Sequence, residues 1–220
     1  EMCSLVAEDF VANYIGVAGP RGVDISYTGG SAGVSGMSAA RISDMVGVSG
    51  WHLYSWPSSS STASVLAAYG QAYALGAYLS RDYGGVPLFT KIVQNSYSGK
   101  DAVSAALSAQ GFSESFDTAF AKFGAALLLS NSTSAPEYYR YNSGGWFTSA
   151  SADGIAYSLG SINAFNYTNG YTSGPYIFSE LPSTAQSAGS IVTYDAGTIS
   201  GTRSWKMTLP AGTILTIVAK

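Results

Sequence analysis

The segment from about Thr62 to Tyr83, closed by Gly84-Gly85, constrains the fold more than any other part of the chain. Ser58 to Ser61 place hydroxyl side chains ahead of it as caps, and paired glycines end it, so a single long helix is expected. Val65, Leu66, Tyr69, Tyr73, Gly76, Ser80 and Tyr83 fall on one face, yet the other faces are also mostly apolar or small. A helix that is apolar all round is buried on all sides. This one is therefore expected at the centre of the molecule, with Gly70 and Gly76 admitting neighbours at short range.

Other helices are expected around it. Glu1 to Ile15 reads as a helix stopping at Gly16, with Cys3, Val6, Phe10 and Tyr14 on one side and Glu1, Ser4, Leu5 and Glu8 on the other. A Gly/Ser-rich loop spans 16–36, a short helix covers Ala39 to Val46, and an aromatic stretch runs from Trp51 to Pro57. Val86 to Gln94 and Lys100 to Ala109 read as short helices. Ser113 is expected to cap a further helix carrying Phe116, Phe120, Phe123, Leu127 and Leu128, closing around Asn131. Beyond Pro136 the period changes. Alternating runs at Ile155–Ile162, Tyr176–Leu181, Ser190–Tyr194, Ser204–Leu209 and Thr213–Val218 are separated by turn signals such as Asn169-Gly170 and Ser173-Gly174-Pro175. The expected class is α+β, with a helical part over 1–134 and a small antiparallel β-sandwich over 135–220.

Charge is scarce. Only 10% of the 220 residues are charged, against roughly 25% in ordinary globular chains, while 46% are hydrophobic. Hydroxyls and amides must keep such a surface in water, a style that suits a secreted or cell-surface protein. The net charge is −3, and the ten Lys and Arg are scattered, which excludes a nucleic-acid partner that needs clustered cations. No run of about 18 apolar residues exists to span a membrane. Cys3 is the single cysteine and His52 the single histidine, so neither a disulfide nor a zinc site of two or three imidazoles can be assembled from this chain alone.

Against this background Glu1, Glu8 and Asp9 form the densest acidic cluster. Glu1 and Glu8 suit a solvated helix face. They also suit a metal site, because at about 10 Å apart along the axis one carboxylate can bind an ion while the other orients a neighbouring group. The run Glu1-Met2-Cys3-Ser4-Leu5-Val6-Ala7-Glu8-Asp9 resembles the helix that follows the H-E-x-x-H helix in secreted bacterial zinc peptidases of the gluzincin type, and in particular the hyicolysin family. Tyr69 to Leu79 followed by Tyr83-Gly84-Gly85 is similar to that family's next helix, and the 99–123 region fits as well.

The resemblance implies that Glu1 is the third zinc ligand, with Glu8 supporting it. H-E-x-x-H itself is absent from the 220 residues. The chain also opens inside a helix, with no start Met or export signal, so it is expected to be the C-terminal part of a longer peptidase whose upstream part supplies two His ligands and the general base. Alone it is expected to be inactive. Zinc is the implied cofactor, a protein or peptide the implied substrate, and Tyr69 and His52 are the candidate donors to the oxyanion of peptide hydrolysis. The alternative is a non-catalytic surface module, in which aromatic residues of the β part, such as Trp146, Phe147, Tyr171 and Tyr176, bind a glycan or a protein.

Overall fold

The central helix forms over its whole expected span. The computed structural model describes residues 1–16, 38–47, 53, 56, 62–141, 143–147, 149–160, 162–168, 172–180, 189–202, 204, 206 and 208–219, and its longest element is Thr62–Tyr83. In chain order the elements are α1 (Met2–Ile15), α2 (Ser38–Met45), α3 (Thr62–Tyr83), α4 (Gly85–Gln94), α5 (Gly99–Ala109), α6 (Phe116–Leu128), β1 (Ala150–Ala152) and β2 (Ile155–Tyr157). Single 3-10 turns lie at Gly145–Phe147 and Ala164–Asn166. Every residue from Gly70 to Tyr83 is buried, including the only two charged residues of α3, Arg81 and Asp82.

Two glycines set the spacing of the first layer. A Cβ on Gly76 would lie 2.2 Å from Val6 Cγ2 and 2.9 Å from Met2 Cγ, so α1 packs directly on the α3 backbone there. A Cβ on Gly70 would lie 2.1 Å from the Arg41 carbonyl oxygen, which seats α2 in the same way. α1 ends where expected, at Gly16, whose φ of 72° closes the helix in the left-handed region. Its buried residues are Leu5, Val6, Asp9 and Ala12, whereas Tyr14 is 68% exposed. The expected division of faces is therefore rotated, because Asp9 is drawn inward to Arg81.

Gly84 and Gly85, at φ 132° and 53°, turn the chain from α3 into α4. The Trp146 ring occupies the space beside Gly85, 2.1 Å from where a Cβ would stand. α4 packs on α5, α5 on α6, and both α4 and α6 return to α3. Leu88, Phe89 and Ile92, then Ala102, Val103, Ala106 and Leu107, then Phe116, Ala119, Phe123 and Ala126 supply the buried faces. α6 is capped by Ser115 in place of the expected Ser113, and it ends at Leu128, a turn before Asn131. The Ser115 hydroxyl accepts the Thr118 N–H at 3.3 Å. Ser115→Ala should lower stability by about 1 kcal/mol, read as a lower urea midpoint at unchanged slope.

The core runs on past residue 134. Tyr141, Ile162, Ala164 and Tyr167 belong to the same buried cluster as the helices, and the Tyr141 hydroxyl donates to the Ala74 carbonyl at 2.7 Å. β1 and β2 pair antiparallel, with Ser151 opposite Ala156, around an Asp153-Gly154 turn in which both residues have positive φ. The expected sandwich over 135–220 is not found among the described residues. Beyond this hairpin they hold only isolated bridges, Thr168 with Ser173 and Phe178 with Tyr194. An alternating run becomes a strand only when a neighbouring edge and an apolar face receive it. Leu209, Ile214, Leu215 and Ile217 instead stand 43% to 82% exposed. The result is a mostly helical α+β protein with one small antiparallel sheet. Among the described residues no helix is long and apolar enough to cross a membrane.

Candidate functional site

The three carboxylates of α1 occupy three different environments. Glu1 is the N-cap of α1 and is exposed, with its carbonyl accepting the Leu5 N–H at 3.0 Å. Two turns on, Glu8 receives a two-pronged contact from Arg41 of α2, Nη2 to Oε1 at 2.6 Å and Nε to Oε2 at 3.1 Å. This fork matches guanidinium to carboxylate and ties α1 to α2.

Asp9 is 5% exposed. Its Oδ2 accepts from the Tyr73 hydroxyl at 2.9 Å and from Arg81 Nη1 at 3.2 Å. Arg81 is fully buried and donates further to backbone, Nη1 to the Ala77 carbonyl at 3.0 Å, Nη2 to Leu159 at 3.0 Å and Nε to Gly160 at 2.9 Å, with a longer contact from Nη1 to the Ser80 hydroxyl at 3.4 Å. Burial acts to strip its proton, but the charge and hydrogen bond of the adjoining Asp9 carboxylate, together with the Tyr73 and Tyr141 phenols, outweigh that and hold the guanidinium charged. Burial first, then the Asp9 charge, push the Tyr73 phenol well above its ordinary range, so it stays a neutral donor.

A second buried acid lies one residue on. Asp82 Oδ1 accepts the N–H groups of Ser143 and Gly144, each at 3.1 Å, and the Ser143 hydroxyl, while Oδ2 is buried without a hydrogen-bond partner. Burial pushes this carboxyl up to about 7, against the lowering effect of those three donors and of Arg81. The glycine group Ser143-Gly144-Gly145 thus has a partner within the protein. The only advance signal of these networks is a pair of charges, Arg81-Asp82, at the end of an otherwise uncharged helix.

Tyr69 is half-buried on α3, with its ring edge-on to Trp56 at 5.0 Å between centroids. His52 lies outside the described residues. Among the described residues the recorded contacts join Glu8 to Arg41 and Tyr69 to Trp56, and none joins Glu1, Glu8 and Tyr69 to one another. Of the aromatic residues considered for glycan stacking, Trp146 packs against Tyr157 at 5.4 Å, Tyr176 is 42% exposed beside Phe178, and Tyr171 lies outside the described residues.

No group of three His, Cys, Asp or Glu side chains is assembled among the described residues. The chemistry of α1 narrows what a metal would find there. Glu8 and Asp9 are each committed to an arginine, which leaves Glu1 as the carboxylate of α1 open to coordination. One exposed carboxylate suits a single position of a zinc coordination sphere. Comparison of the chain with protein-family models, with curated proteins and with solved structures returns no match.

Proposed function

We propose that this chain is the C-terminal part of an exported zinc-dependent endopeptidase, its helical part forming the second half of the catalytic domain. Glu1 supplies one carboxylate ligand, and two histidine ligands come from a preceding segment of the same polypeptide. The reading is supported above all by the sorting of the acids in Glu1-x-x-Ser4-x-x-x-Glu8-Asp9: Glu8 and Asp9 are neutralised by Arg41 and Arg81, and Glu1 is in no ion pair among the described residues, on a helix anchored on α3. When bound, zinc lowers the pKa of a water towards about 7 and polarises a peptide carbonyl.

The residues of this chain act by holding and orienting. The Asp9–Arg81 pair fixes the rotation of α1 about its axis, and the Glu8–Arg41 fork fixes it against α2, so the Glu1 carboxylate is presented from a rigid base. Tyr69 and His52 are the donors assigned to the substrate oxyanion, a role that needs an N–H or O–H aimed at a developing charge. The test is the zinc content and affinity of the polypeptide that carries both halves, before and after Glu1→Ala. A loss of affinity of about 100-fold or more is expected, beyond the 10–100-fold typical of an outer partner. Unchanged stoichiometry and affinity would remove Glu1 from the site.

A further inference from the structure

We infer that Asp82 is a proton-operated catch: it holds the chain at Tyr138, Ser143 and Gly144 shut on the end of α3 while its carboxyl is protonated, and lets that chain lift as the carboxyl ionises. The inference does not depend on the metal reading.

Gly144 lies flat on α3, where a Cβ would stand 1.9 Å from the Arg81 carbonyl oxygen. Ser143 sits in the middle of a relay. Its hydroxyl donates to Asp82 Oδ1 and accepts the Tyr138 N–H at 3.1 Å, while the Tyr138 carbonyl accepts the Tyr78 hydroxyl at 2.6 Å. Tyr138 is thereby pinned at both backbone atoms with φ at 67°, a left-handed conformation that a bulky side chain adopts only under constraint. Lifting the chain relaxes that residue and opens Asp82 to water.

The carboxyl decides when this happens. Oδ2 has no partner in its buried site, so a negative charge there is uncompensated, and desolvation outweighs the donors gathered on Oδ1. The surrounding charged and titratable groups are Arg81, Tyr78 and Tyr83 on α3 itself, and Tyr138, Arg140 and Tyr141 on the covering chain, with Glu137 beside Tyr138. Glu114 ahead of α6 accepts from Tyr83, Lys122 of α6 lies over the Tyr138 ring, and Asp9 of α1 lies beyond Arg81. Of these, Arg81 favours ionisation of Asp82, yet Asp9 engages it directly.

The sign follows from linkage. The closed form keeps its proton up to about pH 7, and the open, solvated form loses it near the ordinary 3.8. Between those values opening releases a proton, so the opening constant rises about tenfold per pH unit and is level above the window.

Amide hydrogen exchange of the 220-residue chain between pH 5 and 9, corrected for intrinsic rates, reads this directly. Protection at Ser143 and Gly144 should fall about tenfold per unit up to about pH 7 and then flatten, and should stay well below that of buried Leu107 in α5, which reports unfolding of the whole core. Asp82→Asn should remove the fall. No fall in the wild type, or the same fall in Asp82→Asn, would overturn the catch. Should the variant not fold, the wild-type profile decides alone, because protection at Ser143 and Gly144 as high as at Leu107 means that this chain opens only when the whole core unfolds, which also overturns the catch.

Discussion

Replacing Arg81 with Met is expected to lower the unfolding free energy by about 3–5 kcal/mol, the usual effect of removing one partner of a buried ion pair. The variant keeps most of the aliphatic stem and loses the charge, so Asp9 remains buried as an uncompensated carboxylate. The carbonyls of Ala77, Leu159 and Gly160 lose donors at the same time. Asp9→Leu combined with Arg81→Met should be less damaging than Arg81→Met alone, because no charge is then left inside. Urea unfolding followed by circular dichroism measures both. A change below about 1 kcal/mol for Arg81→Met would mean that water reaches Asp9 and that the pair does not hold α1.

Gly70→Ala is the second large effect. In an isolated helix the change would stabilise by about 1 kcal/mol, but here the new methyl would meet the Arg41 carbonyl oxygen at 2.1 Å. Backbone cannot swing aside as a side chain can, so α2 must shift as a whole, at a net loss of about 2 kcal/mol or more. Gly76→Ala provides the contrast. Its obstacle is Val6 Cγ2, so Val6→Ala in the same chain should restore much of the loss, whereas no single side-chain truncation should rescue Gly70→Ala. Thermal unfolding of the three variants tests this. A Gly70→Ala protein as stable as the parent would show that α2 is loosely seated.

Helices were legible where glycine and periodicity agree. Thr62–Tyr83 and the stop at Gly16 follow from residues within the segment itself, and the buried position of α3 follows from its lack of a polar face. What local pattern does not contain is a partner far along the chain. Asp9 reads only as part of an acidic cluster, and its partner inside the protein, Arg81, lies 72 positions away. The same limit hid the pairing of Asp82 with Ser143. Alternation after residue 135 gives a single hairpin among the described residues for a related reason: it marks what a strand needs on its own side and says nothing of whether a neighbouring edge exists. Of the candidate site, the spacing of Glu1 and Glu8 was readable, but not that Arg41 claims one of them.

Asn13, at the end of α1, has a role that no helical pattern would suggest. Its Nδ2 donates to the Ala156 carbonyl at 3.0 Å, and its Oδ1 accepts the Ser158 N–H at 2.9 Å. One carboxamide thus engages a carbonyl and the amide two residues on, the pair of groups that an adjacent strand would take. It acts as a strand one residue long. A two-stranded hairpin is marginal by itself, and this one is docked to a helix by imitation of a third strand. The same contact blunts the outer rim of β2, where unpaired groups would otherwise be a template for pairing with another chain.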